Sequence, residues 1–287
     1  MSWRRTIRGT VGILSVGFWA TSCAPLPPLA SEPVTSLTAV HVQNRWLSLR
    51  LSRPKSGTVA RPLVLFVTGD GGWGGKDLEA FHRLIEWGYP VVGVSAPDYL
   101  DHLAHGAGQL APRQLARDLT DVVDIARAPL GLGIKVPVLL FGVSRGADLV
   151  VVAAAQRALR PSVLGVLAVG LTSEEEYLHR TRGKRSVAPT AGDSGASEQN
   201  SRPVHPYAAL RRVAAPVSVI QSTNDEYITA SEARLLFGPD SQSRRLQAID
   251  ARNHSFSDAR EELYVAMRQS LLWISSPSVS NRRQVEP

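Results

Sequence analysis

Five stretches of this chain are apolar along their whole length and rich in β-branched residues: "PLVLFVT" (62–68), "PVVGVSAP" (90–97), "VPVLLFG" (136–142), "SVLGVLAVGL" (162–171) and "PVSVIQST" (216–223). Short runs without polar alternation are strands buried on both faces. The segments between them have helical spacing. "KDLEAFHRLIEWGY" (76–89) carries Leu78, Phe81, Leu84, Ile85 and Trp87 at that spacing, and Gly88 ends it. Further helices are expected at 114–130, 145–159, 205–213, 231–237 and 258–274. "TAVHVQNRWLSLRLSRP" (38–54) alternates as two short strands or a hairpin, and "SRRLQAID" (243–250) is a last strand. Strands alternating with helices predict an α/β fold, a mostly parallel sheet with helices on both faces. Ligands of such sheets bind beyond the carboxyl ends of the strands.

The stretch "FGVSRGADL" (141–149) lies at such an end. Gly142-Val143-Ser144-Arg145-Gly146 follows a buried strand and opens an apolar helix, which is the setting of a nucleophile elbow. A side chain at Gly142 or Gly146 would collide with the neighbouring helix or strand. The helix N-terminus adds positive potential where an oxyanion would form. Ser95 in "GVSAP" begins the same pattern but lacks the closing glycine.

A serine hydroxyl is a weak nucleophile and needs a base. In this architecture the acid and then the histidine follow the serine in the chain. "STNDEYIT" supplies Asp225 beyond the strand at 216–223, with Glu226 as the backup acid, and "DARNHSFSD" supplies His254 beyond the last strand. Asp225 has the better spacing. Each residue alone could be a capping carboxylate or a surface histidine; three in the right order form a candidate Ser-His-Asp triad. For the oxyanion hole, one donor would be the Arg145 backbone N–H. The other would come from "TGDGGW", at Asp70 or Gly71, whose glycines allow close approach to a substrate. Trp73, Arg145 and Tyr99 are candidate substrate contacts. "PDYLDHLAHG" collects Asp98, Asp101, His102 and His105, but without the glutamate of a zinc-protease helix or any cysteine it reads as a solvated loop. Neither a metal nor another cofactor is expected.

The N-terminus is a separate matter. Arg4, Arg5 and Arg8 precede the short apolar run "VGILSVGFWA", then "TSC" and a proline-rich stretch. This is an export signal, so the mature protein is expected in the periplasm or cell envelope. "ATSC" is similar to a bacterial lipobox, which would lipidate Cys23 and tether the protein to a membrane surface; a plain secretory signal is the alternative. Cys23 is the only cysteine, so no intrachain disulfide forms. The expected organisation is an export signal (1–23), a linker (24–35), one domain (36–275) and a tail (276–287). Within the domain, the polar stretch 172–203 after the fourth inner strand is too long for an ordinary connection and is either a lid or a disordered loop. The net charge of +7 suits an anionic partner, but no nucleic-acid motif is present.

Together "VTGDGGW", "LIEWGYPVVGVSA", "GVSRGADL" and "NHSFSD" resemble the bacterial VirJ/AcvB family over about residues 60–275. The resemblance implies an α/β-hydrolase fold, a periplasmic location, and nucleophile, acid and base at Ser144, Asp225 and His254. It further implies a role in hydrolysing aminoacyl-phosphatidylglycerol, such as the lysyl form, and an association with type IV secretion. A lipid phosphate would then need a cationic contact, for which Arg145, Arg180, Arg182, Lys184 and Arg185 are candidates. The chain departs from the family pattern at Arg145, where an aromatic residue is expected, and in the long insertion. A generic exported carboxylesterase and a non-catalytic scaffold of an envelope complex are the alternative functions. Protein partners are not legible in the sequence.

Overall fold

The computed structural model describes residues 34–42, 45–54, 61–104, 111–173 and 204–276. The export segment with Cys23, residues 174–203 of the insertion with its basic run, His105 and the chain beyond Ser276 lie outside the described residues.

Strands β1 (Val34–Val42), β2 (Arg45–Arg53), β3 (Leu63–Val67), β4 (Val91–Val94), β5 (Val138–Val143), β6 (Val163–Val169), β7 (Val217–Ser222) and β8 (Arg244–Ile249) form one sheet. Their order is β1-β2-β4-β3-β5-β6-β7-β8. The β1–β2 and β2–β4 pairs are antiparallel, and every other pair is parallel. Every residue of β3, β4, β5 and β7 is buried, as the unbroken apolar runs require. The edge strand β8 keeps part of its surface in solvent.

The helices are α1 (Gly75–Glu86), α2 (Ala96–Ala104), α3 (Pro112–Arg127), α4 (Arg145–Ala154), α5 (Pro206–Leu210), α6 (Ala230–Phe237) and α7 (Arg260–Ile274). Side chains of α2 through α6 enter the core on one face of the sheet, and those of α1 and α7 the core on the other. Among the described residues no helix is long and apolar enough to cross a membrane.

Several elements differ from the sequence reading. β1 begins at Val34, inside the expected linker, because it pairs with β2 along its whole length. The strand expected over 90–97 ends at Val94, and 96–104 is a helix rather than a solvated loop. The signal was present: Ser95 caps this helix, accepting from the Asp98 N–H through Oγ (3.4 Å) and from the Tyr99 N–H through its carbonyl (3.0 Å). Pro97 lies in the first turn, where its missing N–H costs nothing. The helix expected to reach residue 159 stops at Ala154, and the chain turns before entering β6.

The register brings the carboxyl ends of β3, β5 and β6 side by side, with Val67 beside Gly142 and Gly142 beside Ala168. β7 and β8 continue the row, with Ser222 beside Ile249.

Close approach also matters at the other end of the sheet. A Cβ on Gly165 would overlap the Ile274 side chain of α7 and lie 3.0 Å from the Pro216 carbonyl oxygen. Gly165→Ala should therefore destabilise the fold by about 1–3 kcal/mol. Urea unfolding checks this, and the double variant with Ile274→Ala should lose less than the sum of the single losses.

Candidate active site

The connection from β5 to α4 turns sharply at Ser144, whose φ of 53° and ψ of −123° lie outside the regions open to most side chains. Such a conformation costs on the order of 1–3 kcal/mol and survives only where the surroundings enforce it. Here two glycines enforce it. A Cβ on Gly142 would overlap the Gly146 carbonyl, and one on Gly146 would overlap the carbonyl oxygens of Val67 and Thr68. Without those side chains α4 seats directly against β3 and β5, and all ten of its residues are buried. The Ser144 N–H donates to the Val169 carbonyl (2.7 Å), which ties the turn to β6.

The strand ends bring three distant residues together. Ser144 Oγ lies 2.8 Å from His254 Nε2. His254 Nδ1 lies 2.7 Å from Asp225 Oδ2. A carboxylate only accepts, so Nδ1 carries the ring proton and Nε2 faces the serine hydroxyl as an acceptor. Asp225 is buried and its acceptor sites are used. Gln221 Nε2 donates to Oδ2 (2.8 Å), and the Tyr227 N–H (2.9 Å) and Ile228 N–H (3.4 Å) donate to Oδ1. Glu226 takes a different position: its carboxylate accepts from the His254 backbone N–H (2.7 Å) and so holds the loop, while Asp225 holds the ring. Tyr227 meets the imidazole edge-on at 4.9 Å between centroids. Gly170 (φ 62°) provides room for the ring, since a Cβ there would lie 2.8 Å from His254 Cε1. Nothing in the sequence pattern pointed to Gly170, Gln221 or Tyr227, because their roles depend on the neighbouring loops.

The glycine-rich loop after β3 stands across from the elbow. A Cβ on Gly69 would lie 3.2 Å from Ser144 Cβ, so the loop backbone flanks the serine. Asp70 and Gly71 follow at once. Asp70 Oδ1 pairs with Arg145 Nε at 2.5 Å, joining this loop to the first residue of α4.

That pair places one of the expected substrate contacts. The Arg145 side chain is 9 % exposed and engaged with Asp70, rather than standing free at the surface. Two further candidates are also placed elsewhere. Tyr99 is buried and its hydroxyl donates to Asp118 Oδ2 (2.8 Å), on the α2–α3 side of the sheet. The Trp73 ring packs edge-on against Phe81 (5.3 Å), over Gly93, with the Arg50 guanidinium above it at 4.6 Å. It anchors the loop. Among the described residues no group of three or more His, Cys, Asp or Glu side chains is placed to hold a metal ion.

A residue absent from the sequence reading lies beneath the elbow. Asp148, in the first turn of α4, is buried and accepts from the Thr172 N–H (3.0 Å) and the Thr172 hydroxyl. Burial pushes its carboxyl up to about 8, against the opposing effects of Thr172 and the Arg145 charge.

Comparison with known proteins agrees with this architecture. Residues 62–187 match the family model of VirJ, described as a bacterial virulence protein; that stretch, from the start of β3 to beyond β6, is VirJ-like. No curated protein matches the sequence. The structure is similar to Est1E from Butyrivibrio proteoclasticus (14 % identity, TM-score 0.59, 84 % of this chain and 99 % of that one). It is similar also to a dienelactone hydrolase from Anabaena variabilis (21 %, 0.55, 84 % and 96 %). A third similar structure is XC6422 from Xanthomonas campestris, described as an α/β serine hydrolase without lid (18 %, 0.54, 88 % and 99 %). The fold is the α/β-hydrolase fold.

The Asp148 carboxyl has a direct consequence for stability. Its folded value lies above the unfolded reference of 3.8, so the folded protein keeps a proton that the unfolded chain releases. The resulting stabilisation is full below about pH 4 and is lost as pH rises toward about 8. Asp148→Asn keeps the shape without the charge. It should flatten this slope, by at most about 1.4 kcal/mol per pH unit, and raise the urea midpoint on the alkaline side. Unfolding curves across this pH range check both effects.

Proposed function

We propose that this protein is a serine hydrolase of carboxylic esters. The observation that carries the reading is the continuous chain Ser144 Oγ–His254 Nε2 (2.8 Å) and His254 Nδ1–Asp225 Oδ2 (2.7 Å), built on a strained turn. An isolated surface serine has no need of that strain. The similar folds of proteins named as hydrolases and esterases support it.

In this mechanism Ser144 Oγ attacks the ester carbonyl carbon while His254 Nε2 takes the hydroxyl proton. Asp225 holds the imidazole in the tautomer that can accept it and stabilises the imidazolium that forms. The backbone N–H of Arg145 and one from Asp70 or Gly71 hold the tetrahedral oxyanion. As the carbon–oxygen bond to the leaving alcohol breaks, His254 returns the proton to that alcohol. A water then attacks the acyl-enzyme by the same route, releasing the acid and restoring Ser144.

The substrate within this class is the aminoacyl ester of an aminoacyl phospholipid. This rests on the VirJ-like sequence over residues 62–187 and on the basic, apolar, cysteine-ended N-terminus, which suits export and a lipid anchor at Cys23. Such an anchor would hold the site at the membrane surface where the lipid lies. The second reading is a carboxylesterase for soluble esters; the similarity to proteins named as an esterase domain and a dienelactone hydrolase supports the ester chemistry it shares with the first.

Fluorophosphonate labelling with mass mapping, followed by ester hydrolysis assays, tests this function. Wild type should label at Ser144, and Ser144→Ala and His254→Ala should not. Both variants should lose kcat by about 10⁴-fold or more, with Asp225→Asn losing about 10⁴-fold. A folded wild type whose Ser144 stays unlabelled would overturn the hydrolase reading. Comparing lysyl-phosphatidylglycerol with a soluble acyl ester separates the two substrate classes.

A further inference from the structure

The loop that flanks Ser144 runs Gly69-Asp70-Gly71-Gly72-Trp73-Gly74, so glycine occupies four of its six positions. Glycine backbone loses more freedom on ordering than any other. An oxyanion hole needs the opposite property, donors fixed before the charge appears. Something must therefore hold this loop. Its ends are tied by side-chain packing and by the Asp70–Arg145 pair. Gly72 N–H closes a turn on the Gly69 carbonyl (3.1 Å). The peptide nearest the serine, that of Gly69, is held by one buried carboxylate: the Gly69 N–H donates to Asp77 Oδ2 at 2.7 Å.

Asp77 lies in the first turn of α1, where an acidic residue ordinarily faces its own helix N-terminus. Its side chain instead reaches back across the loop. No side chain caps α1 at Gly74. Asp77 is 2 % exposed, and its Oδ1 has no hydrogen-bond partner among the described residues. Asp77 lines a small cavity together with Lys76, Val143, Val169 and Phe256. Val143 precedes Ser144, and the Val169 carbonyl receives the Ser144 N–H, so the cavity lies directly behind the elbow. Burial raises the Asp77 carboxyl and lowers the Lys76 ammonium, and each opposes the other's shift. A carboxylate kept at such a place, with one oxygen unsatisfied, is a poor stabiliser of a helix. It is a good device for setting one peptide plane.

Resting on the hydrolase reading above, we infer that Asp77 is the positioning residue of the oxyanion hole: it locks the Gly69 peptide so that the following N–H, of Asp70 or Gly71, points at the developing oxyanion. The contribution is made in the transition state. Loss of the bond therefore lowers kcat and leaves substrate binding nearly unchanged.

The test compares Asp77→Asn, Asp77→Ala and Asp77→Glu in the folded full-length protein with a p-nitrophenyl ester and a boronic acid inhibitor. The boronate forms a tetrahedral anion on the serine, and its affinity reports the preorganised donors. Asparagine keeps an acceptor for the Gly69 N–H and should recover kcat to within about fivefold. Alanine removes the acceptor and glutamate displaces it by one methylene. Both should lower kcat about 10- to 100-fold with KM changed less than about threefold, and weaken the boronate in parallel. If alanine prevents folding, the asparagine–glutamate contrast carries the test. Equal loss in Asp77→Asn and Asp77→Glu, or unchanged kcat in Asp77→Ala, would overturn the inference. Failure of wild type to hydrolyse the ester or to label at Ser144 would overturn the hydrolase reading instead.

Discussion

The seating of α4 on the ends of β3 and β5 is the constraint on which the rest of this structure depends. It is a contact between backbones. Gly142 meets the Gly146 carbonyl, and Gly146 meets the carbonyls of Val67 and Thr68, at distances that exclude a Cβ. With the helix so close, the chain has one residue in which to reverse from strand to helix, and Ser144 takes a conformation at φ 53° as a result. The strain is offset by the burial of all ten residues of α4. The turn lifts Ser144 clear of the sheet, toward the loops that follow β6, β7 and β8.

Charge placement around the elbow follows from the same geometry. Dense backbone packing buries Asp77, Arg145, Asp148, Asp225 and His254, and a buried ionisable group needs a partner. Asp225 receives four hydrogen bonds, from the His254 ring, Gln221, Tyr227 and Ile228. Asp148 receives Thr172 and is pushed toward its neutral form. Arg145 and Asp70 pair across the gap between helix and loop. Asp77 takes the Gly69 N–H. The loops on either side of Ser144 are thus held by side chains from α1 and α4 and from the loop after β7. Glu226 performs the same service for the His254 backbone.

Much of the fold was legible because β3 to β7 are apolar along their length and the intervening helices carry a clear period. Ser144, Asp225 and His254 were legible as candidates because each follows a recognisable strand. The reading of "PDYLDHLAHG" as a loop gave too much weight to its polar residues and too little to Ser95 and Pro97, which start a helix there. The side-chain directions of Tyr99 and Trp73 were not legible for a different reason. Both follow strand ends in the chain, but the direction of a side chain is set by packing. Tyr99 turns to Asp118, and Trp73 fills the space that Gly93 leaves open.

What the sequence determined by itself is local: buried strands, helix periods, and a serine between two glycines at a strand end. Those depend on neighbours within a few residues, where period and backbone sterics act. Only the tertiary structure decided that Asp225, not Glu226, meets the His254 ring, that Arg145 turns to Asp70, and that Asp77 reaches Gly69. These are choices between adjacent or chemically equivalent side chains. They turn on ångström differences in where separate loops come to rest; spacing along the chain favours Asp225 over Glu226 but does not by itself place either carboxylate.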